Sequence, residues 1–591
     1  MKRLLFISAL AGILAAGCAQ TPTEIGTGNP YLPLWEHLPD GEPRVFEDPD
    51  NPGQFRAYII GSHDLRYGSY CGPDIRMWSA PVEDLTAWVD EGPIFTYNID
   101  NQWDVMYAPD LVEVNWRDGK REYYLYPHSR GWGREALVAK SDRPDGPYTV
   151  INATEDGRRA VEGSILGFDP SIFVEQIDDP NDPDYEIGFR AYGYWGFQRS
   201  SAVELDQNTM YSQRPGGTYI PYFIPASFRY GVVRKVEGIK EYPALYKDQK
   251  PEDFNFFEAS SIRKVGNKYV MIFSGYSGPD YGLGSSNSTL RYAFGDSPLG
   301  PWRSGGVLVD SRGIVLNEDG SALIERNAAH NTHGSIEEIN GQWYVFYHRQ
   351  SGLNEYARQA MVEPIRIEVE EGPGGKVTIS EAEYTSEGFE IDGLNLYKRY
   401  PAAIACFYMG PTPIVQEYPN FYHSGSYMQP FYLNGKTYDD PYQLDVNCNP
   451  VVNNTDGSIV GYKYFNFDGL KAGKTSLDIN LKPLGVDGKI DVMIDSPWES
   501  KGGKKIGSLN ITKDMPQEAQ DVQIALSDLS EYKGKHAIYL LFSAEEPTQS
   551  LCELYNFTFV TDNDSRSTII VFALVAALLL FAALLGKRKK K

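Results

Sequence analysis

Short runs of apolar and aromatic residues, separated by turns, recur along the first two thirds of the chain. Five runs rich in Tyr, Phe and Trp lie roughly 65 to 80 residues apart. They are Phe55–Ser62, Arg121–Ser129, Gly188–Gly196, Lys268–Gly275 and Gln342–Arg349. Strands and turns that repeat at such a period are typical of radially arranged sheets. The pattern predicts a five-bladed β-propeller over residues 29–365.

A second pattern follows the repeats. Residues 366–414 are expected to form a connecting β segment, and apolar and polar residues alternate in several segments of 415–561. The clearest are Tyr462–Phe467, Thr475–Leu481, Lys489–Asp495 and His536–Ser543. Alternation at period two is the pattern of half-buried strands. The sequence therefore predicts an all-β protein in which a jelly-roll β-sandwich over 415–561 follows the propeller.

The two ends carry segments that resemble targeting and membrane signals. Residues 1–18 combine a basic start with a short apolar run, as a secretory signal peptide does. Cys18 either becomes a lipid-bearing first residue or is lost by cleavage further on. Residues 569–586 are apolar, long enough for a membrane-spanning helix, and the basic tail 587–591 follows. We expect an exported protein anchored to the membrane, at a bacterial surface or in the periplasm.

Composition narrows the partners of this protein. The formal net charge is −24, which excludes nucleic acid as an expected partner because the phosphate backbone repels acidic proteins. The five cysteines match no zinc-binding spacing.

One titratable residue precedes the aromatic run of each predicted blade. These residues are Asp40, Asp110, Asp169, Glu258 and His333. The innermost strand of every blade lines the central channel of a propeller, so equivalent positions should converge at one end of that channel. Four carboxylates and an imidazole are therefore expected to meet there.

Such a group of carboxylates can hydrolyse a glycosidic bond. The reaction needs one protonated and one ionised carboxyl group, and a third carboxylate can raise the pKa of the acid by like-charge repulsion. Aromatic rings near the carboxylates, such as Trp103 and Tyr107, could stack on sugar faces.

The motifs around these residues resemble glycoside hydrolase family 43, a family of five-bladed inverting enzymes. The similar segments are residues 29–36, Pro39-Asp40-Gly41-Glu42-Pro43, Tyr107-Ala108-Pro109-Asp110, residues 257–264 and Asn331-Thr332-His333-Gly334-Ser335. The resemblance covers roughly residues 29–365. It implies that Asp40 is the general base, that Asp110 orients and tunes the acid, and that Glu258 is the general acid. It also implies a metal ion, commonly calcium, held through water near His333; no organic cofactor is expected.

Several assignments keep an alternative. The base motif departs from the commoner Asp-Pro pair, so Glu42 is a second candidate for the base. Asp169 is interpreted as a structural residue that bonds backbone amides between blades. His333 is either part of a metal shell or a packed imidazole. His348 and Arg349 either contact substrate, the favoured interpretation, or staple the ring closed.

The C-terminal sandwich resembles carbohydrate-binding module family 6. Leu554-Tyr555-Asn556-Phe557 is similar to the closing strand of that module, but a Trp common there is missing. Sugar binding and a spacer role both stay open.

For the whole chain the resemblance implies an inverting hydrolase. It would release terminal α-L-arabinofuranosyl or β-D-xylosyl units from plant-type polysaccharides. The alternatives are a β-D-galactofuranosidase of the same family and a non-catalytic surface glycan-binding protein. The filled acidic positions favour the enzyme.

Overall fold

Five antiparallel sheets follow one another in the computed structural model of the chain. The structure describes residues 24–65, 68–224, 245–276, 287–313, 329–350, 352–430 and 449–562. In each sheet the strands pair in sequence order, so that every strand is joined to the next by a turn or loop.

The first three blades have four strands each. Blade 1 consists of β1 (Glu42–Glu47), β2 (Phe55–Ser62), β3 (Asp74–Pro81) and β4 (Val89–Thr96). A small hairpin follows, formed by β5 (Asn98–Ile99) and β6 (Gln102–Trp103). Blade 2 consists of β7 (Asp110–Asn115), β8 (Arg121–Tyr126), β9 (Ala139–Ser141) and β10 (Thr149–Val150). Blade 3 consists of β11 (Ser171–Gln176), β12 (Phe189–Trp195), β13 (Ser201–Leu205) and β14 (Tyr219–Pro221).

Two further blades complete the ring. A single helical turn, α1 (Pro251–Phe254), precedes blade 4, which consists of β15 (Phe256–Val265), β16 (Lys268–Gly275), β17 (Thr289–Gly295) and β18 (Arg303–Asp310). In the described residues blade 5 has three strands, β19 (Ser335–Ile339), β20 (Gln342–Gln350) and β21 (Arg358–Ile365). A hairpin of β22 (Ile367–Val369) and β23 (Val377–Ile379) then leaves the propeller.

The first strands of the five blades pack side by side around a closed ring. β1 contacts β7, β7 contacts β11, β11 contacts β15, β15 contacts β19, and β19 returns to β1. These are the innermost strands, so the residues just before them lie at one end of the central channel. The middle strands of a blade are covered on both faces by the adjacent blades. In β16, for example, all eight residues are buried. Because both faces of these strands are buried, their sequences are continuous apolar and aromatic runs.

The segment before β1 packs against the last blade. The Asn29 side chain donates to the Val362 carbonyl at 2.8 Å and accepts from the Val362 amide at 3.2 Å. Gln359 donates to the Leu34 carbonyl at 2.6 Å. These bonds tie the beginning of the propeller to its end.

The remaining strands build a two-sheet sandwich and one separate hairpin, which consists of the strands Val415–Glu417 and Asn420–Tyr422. They are β24 (Leu394–Asn395), β25 (Tyr400–Pro401), β26 (Phe407–Met409), β27 (Val415–Glu417), β28 (Asn420–Tyr422), β29 (Tyr427–Met428), β30 (Val451–Val452), β31 (Ile459–Asn466), β32 (Lys474–Pro483), β33 (Gly488–Ile494), β34 (Lys504–Ile511), β35 (Gln520–Ala525), β36 (Lys535–Ala544) and β37 (Cys552–Asp562). One sheet has the order β24-β31-β36-β33-β34 and the other β29-β30-β37-β32-β35. Short 3-10 turns lie at Ala402–Ile404, Phe467–Gly469 and Glu499–Lys501.

Alternate residues of the sandwich strands are buried, as the period-two pattern predicts. In β32, Thr475, Leu477, Ile479 and Leu481 are buried and the residues between them are not. The sandwich begins earlier than the expected boundary at residue 415, however, because β24 and β26 pair with β31 and β25 pairs with β37. These strands are too short to carry a periodic signal.

The expected signal peptide (1–18), membrane-spanning helix (569–586) and basic tail (587–591) lie outside the described residues. Among the residues that the structure does describe, no helix is long and apolar enough to cross a membrane.

Candidate active site

A cavity of about 330 Å³ lies where the innermost strands of the propeller begin. Among the described residues, all five blades and one residue of the C-terminal part contribute to its wall. Its lining residues include Asp40, Tyr70, Tyr107, Asp169, Glu258, His330, His333, Arg358 and Tyr418. The sequence-based convergence at the channel is therefore observed, although not for every residue.

The position two residues before an innermost strand decides which side chain reaches the cavity. Asp40, Asp169 and His333 stand two residues before β1, β11 and β19, and all three line the cavity. Asp40 and Asp169 both adopt a left-handed backbone conformation, with φ of 57° and 48°. In blade 2 the same position is Ala108. Asp110 is two residues further along, at the level of Glu42 in β1.

Asp40 is a buried carboxylate with ordered partners on both oxygens. Arg358 Nη1 donates to Oδ1 at 2.7 Å and the Ser62 hydroxyl donates to Oδ2 at 2.5 Å. Burial acts to raise the pKa of Asp40, but Arg358, the neighbouring histidines His333 and His348, and Ser62 outweigh it and lower the pKa to about 2. Asp40 is therefore ionised across the working range of most enzymes, and each oxygen retains a lone pair for a water molecule.

Glu258 has the opposite electrostatic character. It lies where the pairing of β15 with β16 shifts register, between Phe256 and Ser261, and this irregularity directs its carboxyl into the cavity. Burial, and then the negative charges of Asp169 and Asp40, raise its pKa well above the ordinary value. Both effects favour the protonated form of the Glu258 carboxyl group.

Asp169 occupies the position expected for Asp110. It is the largest charged cause of the raised pKa of Glu258. His128 Nδ1 lies 3.2 Å from Asp169 Oδ1 and accepts from the Asp169 amide at 3.2 Å, which fixes the carboxylate. The interpretation of Asp169 as a structural residue is therefore wrong.

The structure contradicts the role assigned to Asp110. Arg44 Nη2 lies 2.5 Å from Asp110 Oδ1, and the Ile172 amide donates to Oδ2 at 2.6 Å. Asp110 lies outside the cavity lining and joins blades 1 and 3 in the layer below it. Glu42 shares this layer: Arg44 and Arg263 each lie 2.8 Å from its Oε1. Glu42 does not line the cavity, so the structure does not support it as the base.

His333 lies between the two aspartates. Its Nδ1 is 3.8 Å from Asp40 Oδ1 and 3.9 Å from Asp169 Oδ2. No group of three or more His, Cys, Asp or Glu side chains within the described ranges is arranged to hold a metal ion. Calcium prefers six to eight oxygen ligands, and Arg358 already neutralises Asp40. The side chains present therefore do not fit a directly bound ion. An ion held through water near His333 and a packed imidazole both stay predictions.

The expected substrate-binding residues divide into one inside the cavity and three outside. Tyr107 lines the cavity. Trp103 is 60% exposed and borders a separate surface groove with Arg76 and Asp90. His348 is fully buried behind Asp40, whose amide donates to His348 Nδ1 at 3.4 Å.

Arg349 points away from the cavity, contrary to the favoured interpretation. Its guanidinium donates to the carbonyls of Ala403 and Ala405 at 2.7 and 2.9 Å. Because successive side chains of a strand alternate between faces, His348 packs behind Asp40 and Arg349 faces the sandwich. Arg349 is therefore a staple between the two domains.

Sequence reasoning missed three contributors to the site. Arg358 lies 318 residues from Asp40 in the chain, and no spacing links them. Tyr70 and Tyr418 come from loops without a repeat pattern. Asp169 is among the residues that the repeats predict to converge at the channel, and only its effect on Glu258 is not readable from the sequence.

Proteins of known activity resemble this chain over much of its length. A search against protein-family models gave no match. A xylosidase/arabinosidase of Thermoclostridium stercorarium is 31% identical over 469 residues, covering 76% of this chain and 84% of the relative. Xylosidase/arabinosidase 43A of Humicola insolens is 28% identical over 320 residues, covering 50% of this chain and 84% of the relative.

A glycoside hydrolase family 43 arabinoxylan arabinofuranohydrolase of Bacillus subtilis aligns with 91% of this chain and 98% of its own, at 18% identity and a TM-score of 0.41. The relationship rests on the sequence match to the Thermoclostridium protein, which spans most of both chains. This chain belongs to glycoside hydrolase family 43, the family of these xylosidases and arabinosidases.

Proposed function

We propose that this protein removes terminal β-D-xylosyl or α-L-arabinofuranosyl units from plant-type polysaccharides, with inversion at the anomeric carbon. One observation carries the proposal: a single cavity holds a carboxyl group with a raised pKa, Glu258, and a carboxylate with a lowered pKa, Asp40. Two titratable groups whose environments push their pKa values apart are the pattern of an acid and a base. The relatives are named xylosidase/arabinosidase, and we propose xylosyl and arabinofuranosyl units as the released sugars on this basis.

The two carboxyl groups divide the reaction between them. Glu258 donates its proton to the glycosidic oxygen as the bond to the leaving group breaks. Asp40 accepts a proton from the water that attacks the anomeric carbon from the opposite face. Asp169 keeps Glu258 protonated before the reaction through its negative charge, and Arg358 keeps Asp40 ionised.

The catalytic assignment is tested with two variants and one control. Glu258→Gln and Asp40→Asn should each lower kcat on oligosaccharides by roughly 10²–10⁴, the usual contribution of a positioned acid or base. Glu42→Gln is the matched control, since it neutralises a buried carboxylate two residues from Asp40 that does not reach the cavity. Parent-like rates in both catalytic variants would contradict the assignment. A loss confined to Glu42→Gln would instead make Glu42 the base.

The sugar and the stereochemistry need a separate experiment. The parent protein is assayed on p-nitrophenyl β-D-xyloside, α-L-arabinofuranoside and β-D-galactofuranoside, and proton NMR identifies the anomer first released. Activity on the first two with inverted product is expected. Activity on the galactofuranoside alone would favour that alternative, and binding without hydrolysis would favour a glycan receptor. A retained anomer would contradict inversion.

We also propose that the chain is exported and held at a membrane by residues 569–586, with sugar binding by the C-terminal sandwich. The apolar character of this segment, the basic tail and the apolar start of the chain support the location. Full-length protein should remain in the membrane fraction, and a chain ending at residue 565 should be released. Affinity electrophoresis on xylan, with the catalytic variant Glu258→Gln, tests whether the sandwich adds binding.

A further inference from the structure

A hairpin of the C-terminal part lies against the propeller beside the catalytic cavity. This hairpin, β27 and β28, docks on the connection between β20 and β21. The Phe421 amide donates to the Leu353 carbonyl at 2.8 Å, and the Glu355 amide donates to the Pro419 carbonyl at 3.1 Å. Gln416 Nε2 donates to Glu355 Oε1 at 3.1 Å. The hairpin is therefore held to blade 5 by backbone and side-chain bonds.

Glu355 connects the hairpin to the cavity wall. Its carboxylate is fully buried. Besides Gln416, it accepts a hydrogen bond from the Tyr70 hydroxyl, and His330 Nδ1 lies 3.4 Å from Oε2. Tyr70 and His330 both line the cavity. One carboxylate thus holds the hairpin and two wall residues in a fixed relation.

Tyr418, at the turn of the hairpin, lines the cavity itself. Its side chain is 71% exposed, whereas Asp40, Asp169 and Glu258 are nearly fully buried. Tyr418 therefore lies at the mouth of the cavity and the carboxylates at its base.

An aromatic wall joins this mouth to the base. Burial, followed by a hydrogen bond with Tyr418, raises the pKa of Tyr356 to about 12. The Tyr356 and Tyr70 rings are 4.8 Å apart in an edge-to-face arrangement. Arg358, the partner of Asp40, lies over the Tyr70 ring at 4.9 Å. A chain of side-chain contacts therefore connects Tyr418 with Asp40.

We propose that Tyr418 contacts the sugar on the leaving-group side of the scissile bond, so that the C-terminal domain completes the substrate site of the propeller. The inference rests on the proposed function above. In a cavity that holds the terminal sugar among the carboxylates, the next sugar must lie at the mouth. An exposed tyrosine ring offers that sugar an apolar face and a hydroxyl group.

The test compares a substrate that has a second sugar with one that has none. The full-length protein is assayed on a disaccharide that the parent cleaves, either xylobiose or an arabinofuranosyl-xylose. It is also assayed on the glycosyl fluoride of the sugar that is released from that disaccharide. Fluoride is a single-atom leaving group and leaves the mouth empty. Tyr418→Ala should raise KM for the disaccharide roughly tenfold, the effect of about 1.4 kcal/mol of lost contact, with kcat/KM on the fluoride unchanged.

Two variants separate contact from folding. Tyr418→Phe retains the ring and loses the hydroxyl group, so its KM for the disaccharide should lie between those of the parent and Tyr418→Ala. Tyr422→Ala removes another exposed tyrosine, 52% accessible, from the same hairpin, and should match the parent on both substrates. A parent-like KM in Tyr418→Ala would overturn the proposal. So would an equal loss on the fluoride, because Tyr418 would then act on the terminal sugar. Inactivity of the parent on every substrate would refute the proposed function instead.

Discussion

The charge of Arg358 should set the acidic limit of activity. Arg358 is 3% exposed, and besides its 2.7 Å contact with Asp40 it donates from Nε to Asp64 Oδ2 at 2.9 Å. Replacing it by glutamine, Arg358→Gln, removes the charge and retains a polar side chain. We expect the acidic limb of the kcat/KM profile to move to higher pH.

The size of the shift follows from the surroundings of Asp40. Arg358 is the largest cause that lowers its pKa, from 3.8 to about 2, against a burial effect that raises it. His348 cannot replace that charge, because burial lowers its own pKa to about 3. Without Arg358 the pKa of Asp40 should therefore exceed 3.8. A rise of about two units corresponds to roughly 2–3 kcal/mol of lost stabilisation of the ionised base.

The direction of the change in the pKa of Asp40 can be tested by protein stability as well as by reaction rate. A lowered carboxyl pKa stabilises the folded protein above the unfolded value of 3.8, and this contribution disappears as pH falls through about 2. In Arg358→Gln the contribution is lost at neutral pH, and two buried carboxylates lose their cation. The thermal midpoint of the variant should therefore lie below that of the parent at pH 7.

The assay is kcat/KM from pH 3 to 7, on a substrate that the parent cleaves. The parent should be flat on the acidic side over this range, and Arg358→Gln should fall as pH decreases. Arg358→Lys retains the charge without the bidentate geometry, so its limb should lie between the two. Arg349→Gln removes a buried arginine that contacts the sandwich, and should lower stability without moving the limb. An unchanged limb in Arg358→Gln would refute the link between Arg358 and the base.

Further expectations concern the other groups of the site and the fold. Asp169→Asn should move the alkaline limb of kcat/KM to lower pH, because the charge that raises the pKa of Glu258 is removed; Asp110→Asn should leave that limb in place and lower the thermal midpoint, and the reverse result would restore Asp110 as the tuner. Asn29→Ala should cost about 1–3 kcal/mol in denaturant unfolding, since it leaves buried backbone groups of β21 unpaired; an unchanged midpoint would show that the bonds to Val362 do not hold the ring. Trp103→Ala should leave kcat and KM for a disaccharide unchanged, and a raised KM would place its groove on the path of the substrate.

Local sequence patterns determined the architecture. Period-two alternation depends on side chains pointing to opposite faces of a strand, and repeated aromatic runs depend on sheets covered on both faces, so the all-β class and the five blades could be predicted. The same repeats located Asp40 and Glu258. Resemblance to the family supplied the expected division of labour between acid and base.

Only the tertiary structure decided which carboxylate tunes the acid. A shift of two residues along an innermost strand moves a side chain down one layer of the channel, so Asp110 pairs with Arg44 while Asp169 reaches Glu258. Arg358 and Tyr418 come from distant parts of the chain, and their approach depends on ring closure and on domain packing. Periodicity reports the environment of a residue within its own strand, whereas a catalytic site is set by distances between strands, and those are fixed only when the whole chain has folded.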